Sequence, residues 1–138
     1  MPGEEHWRPA VRRILELLFQ MKKPYGIELI LDLKGCDLPD LSQKQMHEFL
    51  VSICDLIEMT RHGDPMYWED DSGIPHLHGV SAVQFIETST IVCHCLPLLR
   101  AVYLNLFSCK EFDQQKAAEF CVRFWGADEV TSTLVTRG

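Results

Sequence analysis

The sequence predicts an α+β fold, a two-layer sandwich in which an antiparallel sheet carries two helices on one face, with an extra helix at the N-terminus. Three observations support this prediction. Two segments after the N-terminal helix have the apolar period of amphipathic helices and start at capping residues. Several short runs between turn formers are rich in β-branched and aromatic residues. The order of the elements is strand, helix, several strands, helix, strand, which is typical of α+β domains.

The N-terminal helix is predicted from Pro9 to Lys23, where Pro24 ends it. Its apolar residues recur at helical spacing: Val11, Ile14, Leu15, Leu18 and Met21. We expect this stripe to pack on the domain or on a second subunit, with binding to a membrane surface as the alternative because basic residues accompany it. The predicted division is a helical extension over 1–24 and a domain of one core over 25–138, which suits a chain of 138 residues.

The domain begins with a predicted strand from Tyr25 to Leu33. A helix follows, in which Ser42 and Gln45 match a capping box and which we expect to end near Met59. The remaining elements are a short strand at 66–68, strands at 80–86, 89–95 and 99–107, a helix from Asp113 to Gly126, and a last strand at 130–135. Because so many strand residues are apolar, we expect a second copy of the chain to cover the face without helices, giving a homodimer.

Composition limits the classes of partner. The formal net charge of -7 argues against nucleic acid or an anionic membrane as the main partner, since both attract basic surfaces. No apolar run reaches the length of a membrane span. The first residues lack the order of a signal peptide, so we expect a cytoplasmic protein whose six cysteines are reduced thiols.

The segment from Ser81 to Cys109 concentrates the reactive side chains, which are Ser81, Ser89, His94 and Cys109. Each of them alone would more often be structural, as a strand serine, a hydrogen-bonded histidine or a small buried thiol. A zinc site is the alternative use of the segment, with ligands offered by His76, His78, Cys93, His94 and Cys95. Strand alternation weakens that alternative because Cys93 and Cys95 would point away from His94.

The same segment resembles the prokaryotic S-adenosylmethionine decarboxylases, which are made as self-cleaving proenzymes. The matching motifs are Gly79-Val80-Ser81-Ala82-Val83, Thr88-Ser89-Thr90, His94-Cys95-Leu96-Pro97-Leu98 and Phe107-Ser108-Cys109-Lys110. The offsets from the serine to the histidine, the proline and the cysteine agree without a gap. The likeness continues more weakly over most of the chain and leaves out only the N-terminal helix.

The resemblance implies cleavage between Thr88 and Ser89. Ser89 would attack the carbonyl of Thr88, and Ser81 and His94 would assist the acyl shift and the elimination that follow. Ser89 would become a pyruvoyl group, whose ketone condenses with a substrate amine and accepts electrons as carbon dioxide departs. Cys109 would return a proton to the substrate. No metal and no separate coenzyme are implied.

Three positions depart from the family's pattern for binding the nucleoside, namely Thr88, Leu96 and Pro75. Tyr67 or Trp68 could replace the lost stacking surfaces. The departures leave two alternatives to a decarboxylase that acts on S-adenosylmethionine. One is the same chemistry on a basic amino acid such as ornithine or arginine, with negative charge from the loop at 69–71. The other is an unprocessed, non-catalytic relative that regulates a partner.

Overall fold

The computed structural model describes residues 2–138, with the side chains of residues 7–18 and 23–138. The helices are α1 (Pro2–Lys22), α2 (Gln43–Leu56) and α3 (Gln114–Trp125). The strands are β1 (Gly26–Lys34), β2 (Met66–Asp70), β3 (Gly79–Ile86), β4 (Ser89–Leu96), β5 (Ala101–Ser108) and β6 (Glu129–Arg137). The predicted fold class is therefore confirmed, and each predicted element is present.

The six strands form one antiparallel sheet in the order β2-β3-β4-β5-β1-β6. Strand alternation sends one set of side chains, including Leu29, Leu31 and Leu33, into a buried layer under α2 and α3. Phe49 of α2 packs against the ring of Trp125 in α3, with the ring centroids 5.0 Å apart. This contact joins the two helices. Burying a side chain of this size contributes about 1.5–3 kcal/mol to the free energy of folding.

Local capping chemistry sets the helix boundaries. Ser42 Oγ accepts a hydrogen bond from the backbone N–H of Gln45 at 3.1 Å, and Asp113 does the same for Lys116 at 3.0 Å. Only half of the predicted capping box forms, because Gln45 Oε1 is buried and has no hydrogen-bond partner among the described residues. Gly126 ends α3 in the left-handed conformation (φ 61°), which glycine adopts without steric cost.

Helix α2 ends earlier than the predicted Met59. Glu58 takes the left-handed conformation (φ 57°), and the N–H of Met59 bonds back to the carbonyl of Cys54 at 2.8 Å. This is the hydrogen-bond pattern of a helix that normally terminates at glycine. A glutamate at this position carries about 1 kcal/mol of backbone strain.

Helix α1 starts before the predicted Pro9, which now lies inside the helix and cannot donate the backbone hydrogen bond of its turn. The apolar stripe is not buried by the chain's own domain, since Ile14 is 54% exposed and Leu15 60%. The side chain of Met21 lies outside the described residues. No helix in the described part of the chain has the length and apolarity of a membrane span.

Three strands also differ from the predictions by two residues or more. Strand β2 continues to Asp70, beyond the predicted 66–68. Strand β5 begins at Ala101, because a short 3-10 turn (Pro97–Leu99) and Arg100 in the left-handed region (φ 49°) intervene. Strand β6 is longer than predicted and exposed along its length.

Candidate active site

The bond between Thr88 and Ser89 lies at the tip of the hairpin that joins β3 to β4. Ile86 and Ser89 are the last paired residues, so only Glu87 and Thr88 form the loop. Glu87 has φ 48°, in the region that two-residue hairpin loops usually fill with glycine or asparagine. The backbone strain of about 1 kcal/mol is thus held one residue before the bond.

Ser89 contacts Cys109, which follows the last residue of β5. The backbone N–H of Cys109 donates to Ser89 Oγ at 3.2 Å, and that hydroxyl lies 3.9 Å from the Cys109 sulfur, to which it donates. Ser108 fixes the turn because its buried hydroxyl accepts from the N–H of Lys110 at 2.9 Å and donates to the Lys110 carbonyl at 2.6 Å. The orientation of Cys109 toward Ser89 therefore depends on Ser108.

The thiol of Cys109 is exposed, and its pKa lies below the ordinary value. The main cause is a hydrogen bond with the Thr88 hydroxyl, whose oxygen lies 2.9 Å from the sulfur, and Ser89 adds a second one. Hydrogen bonds donated to a thiolate favour the charged form. The other five cysteines are buried, so Cys109 is the reactive thiol of the chain.

A cleft of about 210 Å³ opens beside Ser89 and Cys109. The segment that follows α2 forms the other wall of the cleft. It contributes Glu58, which has the left-handed conformation, together with Met59 and Thr60. Lys110 closes one side, since its Nζ donates to the carbonyl of Glu58 at 3.1 Å. The cleft gives a small molecule access to the hairpin tip.

Ser81 and His94 form a second pair on the face of the sheet that carries no helix. His94 Nδ1 lies 2.7 Å from Ser81 Oγ. The two residues stand opposite each other on β3 and β4, in a row that Trp68 and Tyr103 extend on either side. These side chains line a cavity of about 490 Å³ together with His76, Leu77 and Leu96.

The two pairs lie apart in one chain. Ser89 and His94 are five residues apart on β4, which puts their side chains on opposite faces and their backbones about 17 Å apart. The structure thus brings Ser89 together with Thr88 and Cys109, and Ser81 together with His94. Sequence reasoning missed this separation although strand alternation contains it. It also missed the left-handed conformation of Glu87 and the hydrogen bonds by which Ser108 holds the turn at Cys109. The one available signal was for Glu87, because a two-residue hairpin loop without glycine must place another residue in that conformation.

The geometry of the other sequence candidates is also clear. Cys93 and Cys95 lie in the core with their sulfurs 3.9 Å apart, on the face opposite His94, as alternation predicts. The acidic residues predicted as a loop at 69–71 lie partly in β2, which ends at Asp70. Asp70 accepts hydrogen bonds from the N–H and the hydroxyl of Ser72 in the turn that follows. Asp70 pairs with Gly79, which is seven residues along β3 from Ile86, the partner of Ser89. The acidic charge is therefore about 23 Å from Ser89 in the same chain.

Comparisons with known proteins agree with this architecture. The fold matches a solved structure described as the adenosylmethionine decarboxylase from Aquifex aeolicus VF5, with a TM-score of 0.72 and 17% sequence identity over 84% of this chain and 92% of that one. No curated protein matches in sequence. The family model for S-adenosylmethionine decarboxylase matches residues 27–138. The chain belongs to the S-adenosylmethionine decarboxylase family.

Proposed function

We propose that this chain is a self-processing, pyruvoyl-dependent decarboxylase that acts on S-adenosylmethionine. The observation that carries the proposal is the position of Ser89 directly after a strained two-residue loop, with Cys109 bonded to its hydroxyl. Family membership supports the reaction and the substrate class. The same membership, which begins at residue 27, supports a division into an extension at 1–24 and a catalytic domain at 25–138.

The first step is an acyl shift within the chain. Ser89 Oγ attacks the carbonyl carbon of Thr88, the C–N bond to Ser89 breaks, and an ester replaces the amide. Release of the strain at Glu87 favours this change. Loss of the Ser89 Cα proton then expels the Thr88 carboxylate and leaves dehydroalanine, which takes up water, releases ammonia and becomes a pyruvoyl group.

The residues around Ser89 fit a pyruvoyl group. The cleft beside it admits a small molecule, and the Cys109 backbone N–H that donates to Ser89 Oγ is placed to donate to a carbonyl oxygen there. The ketone supplies an electron sink for decarboxylation. Cys109 holds the proton that is returned to the substrate carbon, which is why an exposed thiol beside Ser89 matters.

Ser81 and His94 act on Ser89 of a second copy. In one chain the pairs are about 17 Å apart and on opposite faces of the sheet, too far for proton transfer. A homodimer that covers the face without helices brings the Ser81–His94 pair of each copy toward the hairpin of the other. The exposed Phe85, Met66 and Trp68 on that face favour such burial.

The cytoplasm suits this chain. All six cysteines are free thiols, which is usual for proteins of a reducing compartment. Reducing conditions also keep Cys109 available for proton transfer.

Intact mass under denaturing conditions tests the proposal. We expect two fragments, 1–88 with a free carboxylate and 89–138 with a pyruvoyl in place of Ser89. The Ser89→Ala chain, which lacks the attacking hydroxyl, should remain whole. Release of carbon dioxide from carboxyl-labelled S-adenosylmethionine should follow cleavage. A wild-type chain that stays whole after long incubation would refute self-processing and leave the non-catalytic alternative.

A further inference from the structure

The helix layer of the domain stops short of β6. Val130 and Leu134 stand opposite Leu33 and Leu29 in the pairing of β6 with β1, so their side chains project to the face that the helices cover. Leu33 and Leu29 are buried there, yet Val130 remains 44% exposed and Leu134 40%. The helix side of β6 is therefore an apolar surface that the described part of one chain leaves uncovered.

Helix α3 forms a wall beside this surface. The side of α3 that carries Phe124 packs on α2. Helix periodicity places Ala118 and Val122 on the opposite side of α3, toward β6. We refer to the surface that these two residues form with Val130 and Leu134 as the α3–β6 groove.

Helix α1 carries an apolar stripe of the same character. Trp7, Ile14 and Leu18 lie on one side of α1 at helical spacing, and all three are exposed. Arg8 and Arg13 border this stripe on its two sides. The helix precedes the part of the chain that the family model matches, which begins at residue 27. An apolar helix face and an apolar groove thus both lie open in one chain.

Charge favours the domain as the partner of α1. Residues 1–24 contain five basic and three acidic residues, a formal charge of +2, so the net charge of -7 leaves -9 on residues 25–138. The exposed carboxylates of Glu119 on α3 and Asp128 before β6 lie at the border of the groove. Two basic α1 helices would repel each other, and an anionic membrane would repel the acidic domain.

We propose that α1 of one copy docks in the α3–β6 groove of a second copy. Each copy supplies one helix and one groove, so a reciprocal exchange between two copies fills both grooves and closes the assembly. The arginines beside the stripe then face the acidic border of the groove. The inference goes beyond the proposed function and does not depend on cleavage.

Disulfide trapping between two full-length chains tests the inference. Both chains carry Ser89→Ala, which keeps them whole, and Cys109→Ser, which removes the exposed native thiol. One chain adds Ile14→Cys, and the other adds Leu134→Cys and is labelled with heavy nitrogen. After the chains are unfolded together, refolded and oxidised, we expect a covalent dimer of mixed mass that joins residue 14 to residue 134.

Val135→Cys in place of Leu134→Cys is the matched control, because Val135 is also exposed but projects from the opposite face of β6. It should give about tenfold less covalent dimer, since a disulfide requires Cα atoms within about 7 Å of each other.

Four results would overturn the inference. Equal yields from Leu134→Cys and Val135→Cys, or no disulfide from either, would show that α1 does not occupy the groove. Links mainly between residue 14 of two copies would show that α1 pairs with itself. A chain that carries both cysteines and closes the disulfide within itself would place α1 in its own groove. Flotation of the Ser89→Ala chain with phosphatidylserine vesicles, abolished by Ile14→Glu, would assign α1 to a membrane surface.

Discussion

The Nδ1 atom of His94 lies 2.7 Å from Ser81 Oγ, and both side chains project from the face of the sheet opposite Ser89. A hydrogen-bonded serine and histidine can pass a proton, but only to a group within contact distance. Within one chain, the Ser81–His94 pair is therefore too far from Ser89 to exchange a proton with it.

Mixing two inactive chains should therefore restore cleavage. His94→Ala and Ser89→Ala should each remain whole as homodimers. When they are unfolded together and refolded, mixed dimers should contain a His94→Ala chain whose Ser89 meets the intact His94 of the other chain. We expect fragments of the His94→Ala chain alone, identified by mass. If the mixture stays whole while wild-type protein refolded in the same way is cut, His94 does not act across the dimer.

The hydroxyl of Thr88 should control the reactivity of Cys109. Its oxygen lies 2.9 Å from the sulfur, and a hydrogen bond from this hydroxyl to the thiolate lowers the pKa of the thiol, so Thr88→Val should raise that pKa. In the Ser89→Ala background, which keeps the chain whole, the pH profile of iodoacetamide alkylation should shift to higher pH. At a pH below both inflections, the Thr88→Val chain should react more slowly because less thiolate is present.

Thr90→Val is the control for this measurement, since Thr90 is the second residue of β4 and its side chain lies on the face of the sheet opposite Ser89. Its profile should match that of the parent chain. An equal shift in both variants would mean that the Thr88 hydroxyl has no specific effect on the sulfur.

Gly26 should be required for the position of the turn at residues 108–110, which carries Cys109. A Cβ at this residue would lie 2.2 Å from the carbonyl oxygen of Ser108, which is backbone and cannot rotate away. We expect Gly26→Ala to lower the free energy of unfolding by about 1–3 kcal/mol, the usual cost of overpacking, and to slow self-cleavage. Urea denaturation and a cleavage time course measure the two effects.

Gly63→Ala separates stability from cleavage. A Cβ at Gly63 meets no atom within 4 Å, although its φ of 75° makes alanine cost about 1 kcal/mol. This variant should lose stability and cleave normally. Normal cleavage in Gly26→Ala would contradict a role for the Ser108–Cys109 backbone in holding Ser89.

Gln84 should be a strong determinant of stability. It is fully buried, and its side-chain amide donates to the carbonyls of Gly63 and Phe85 at 3.0 Å each, while Arg61 donates to its oxygen at 3.4 Å. Gln84→Leu removes the donor to the Gly63 carbonyl and one of the two donors to the Phe85 carbonyl, and it takes away the acceptor of Arg61. The loss of these three hydrogen bonds in a buried site should cost about 1–3 kcal/mol. Gln115→Leu changes an exposed amide and should stay within about 0.5 kcal/mol. Equal urea midpoints for the two variants would refute the prediction.

Features set by local chemistry could be predicted from the sequence. Ser42, Asp113 and Gly126 act on backbone groups within a few residues, so their caps lie where the pattern places them. The end of α2 was predicted too late, because a glutamate in a glycine conformation at residue 58 gives no sequence signal.

The sequence suggests candidate residues for the site but not their arrangement. The spacing that resembles the family's motifs selects Ser89, His94 and Cys109 as candidates, whereas their proximity depends on strand pairing between distant segments. The contact of Ser89 with Cys109 needs β4 and β5 in register, with Thr90 opposite Phe107. Alternation along β4 sends His94 to the other face, a rule that was available from the sequence.

The order of the strands decides what happens after a cut at Ser89. The first fragment would contain β1, β2 and β3, and the second would contain β4, β5 and β6. In the sheet, however, β1 lies between β5 and β6. The fragments would be interleaved in one sheet and could not separate without unravelling it. After unfolding, however, the two fragments must associate again before they can refold. The yield of refolding would therefore depend on protein concentration for the cleaved protein, but association of fragments would not limit the uncut precursor. At low protein concentration, unfolding of the cleaved protein would thus be irreversible.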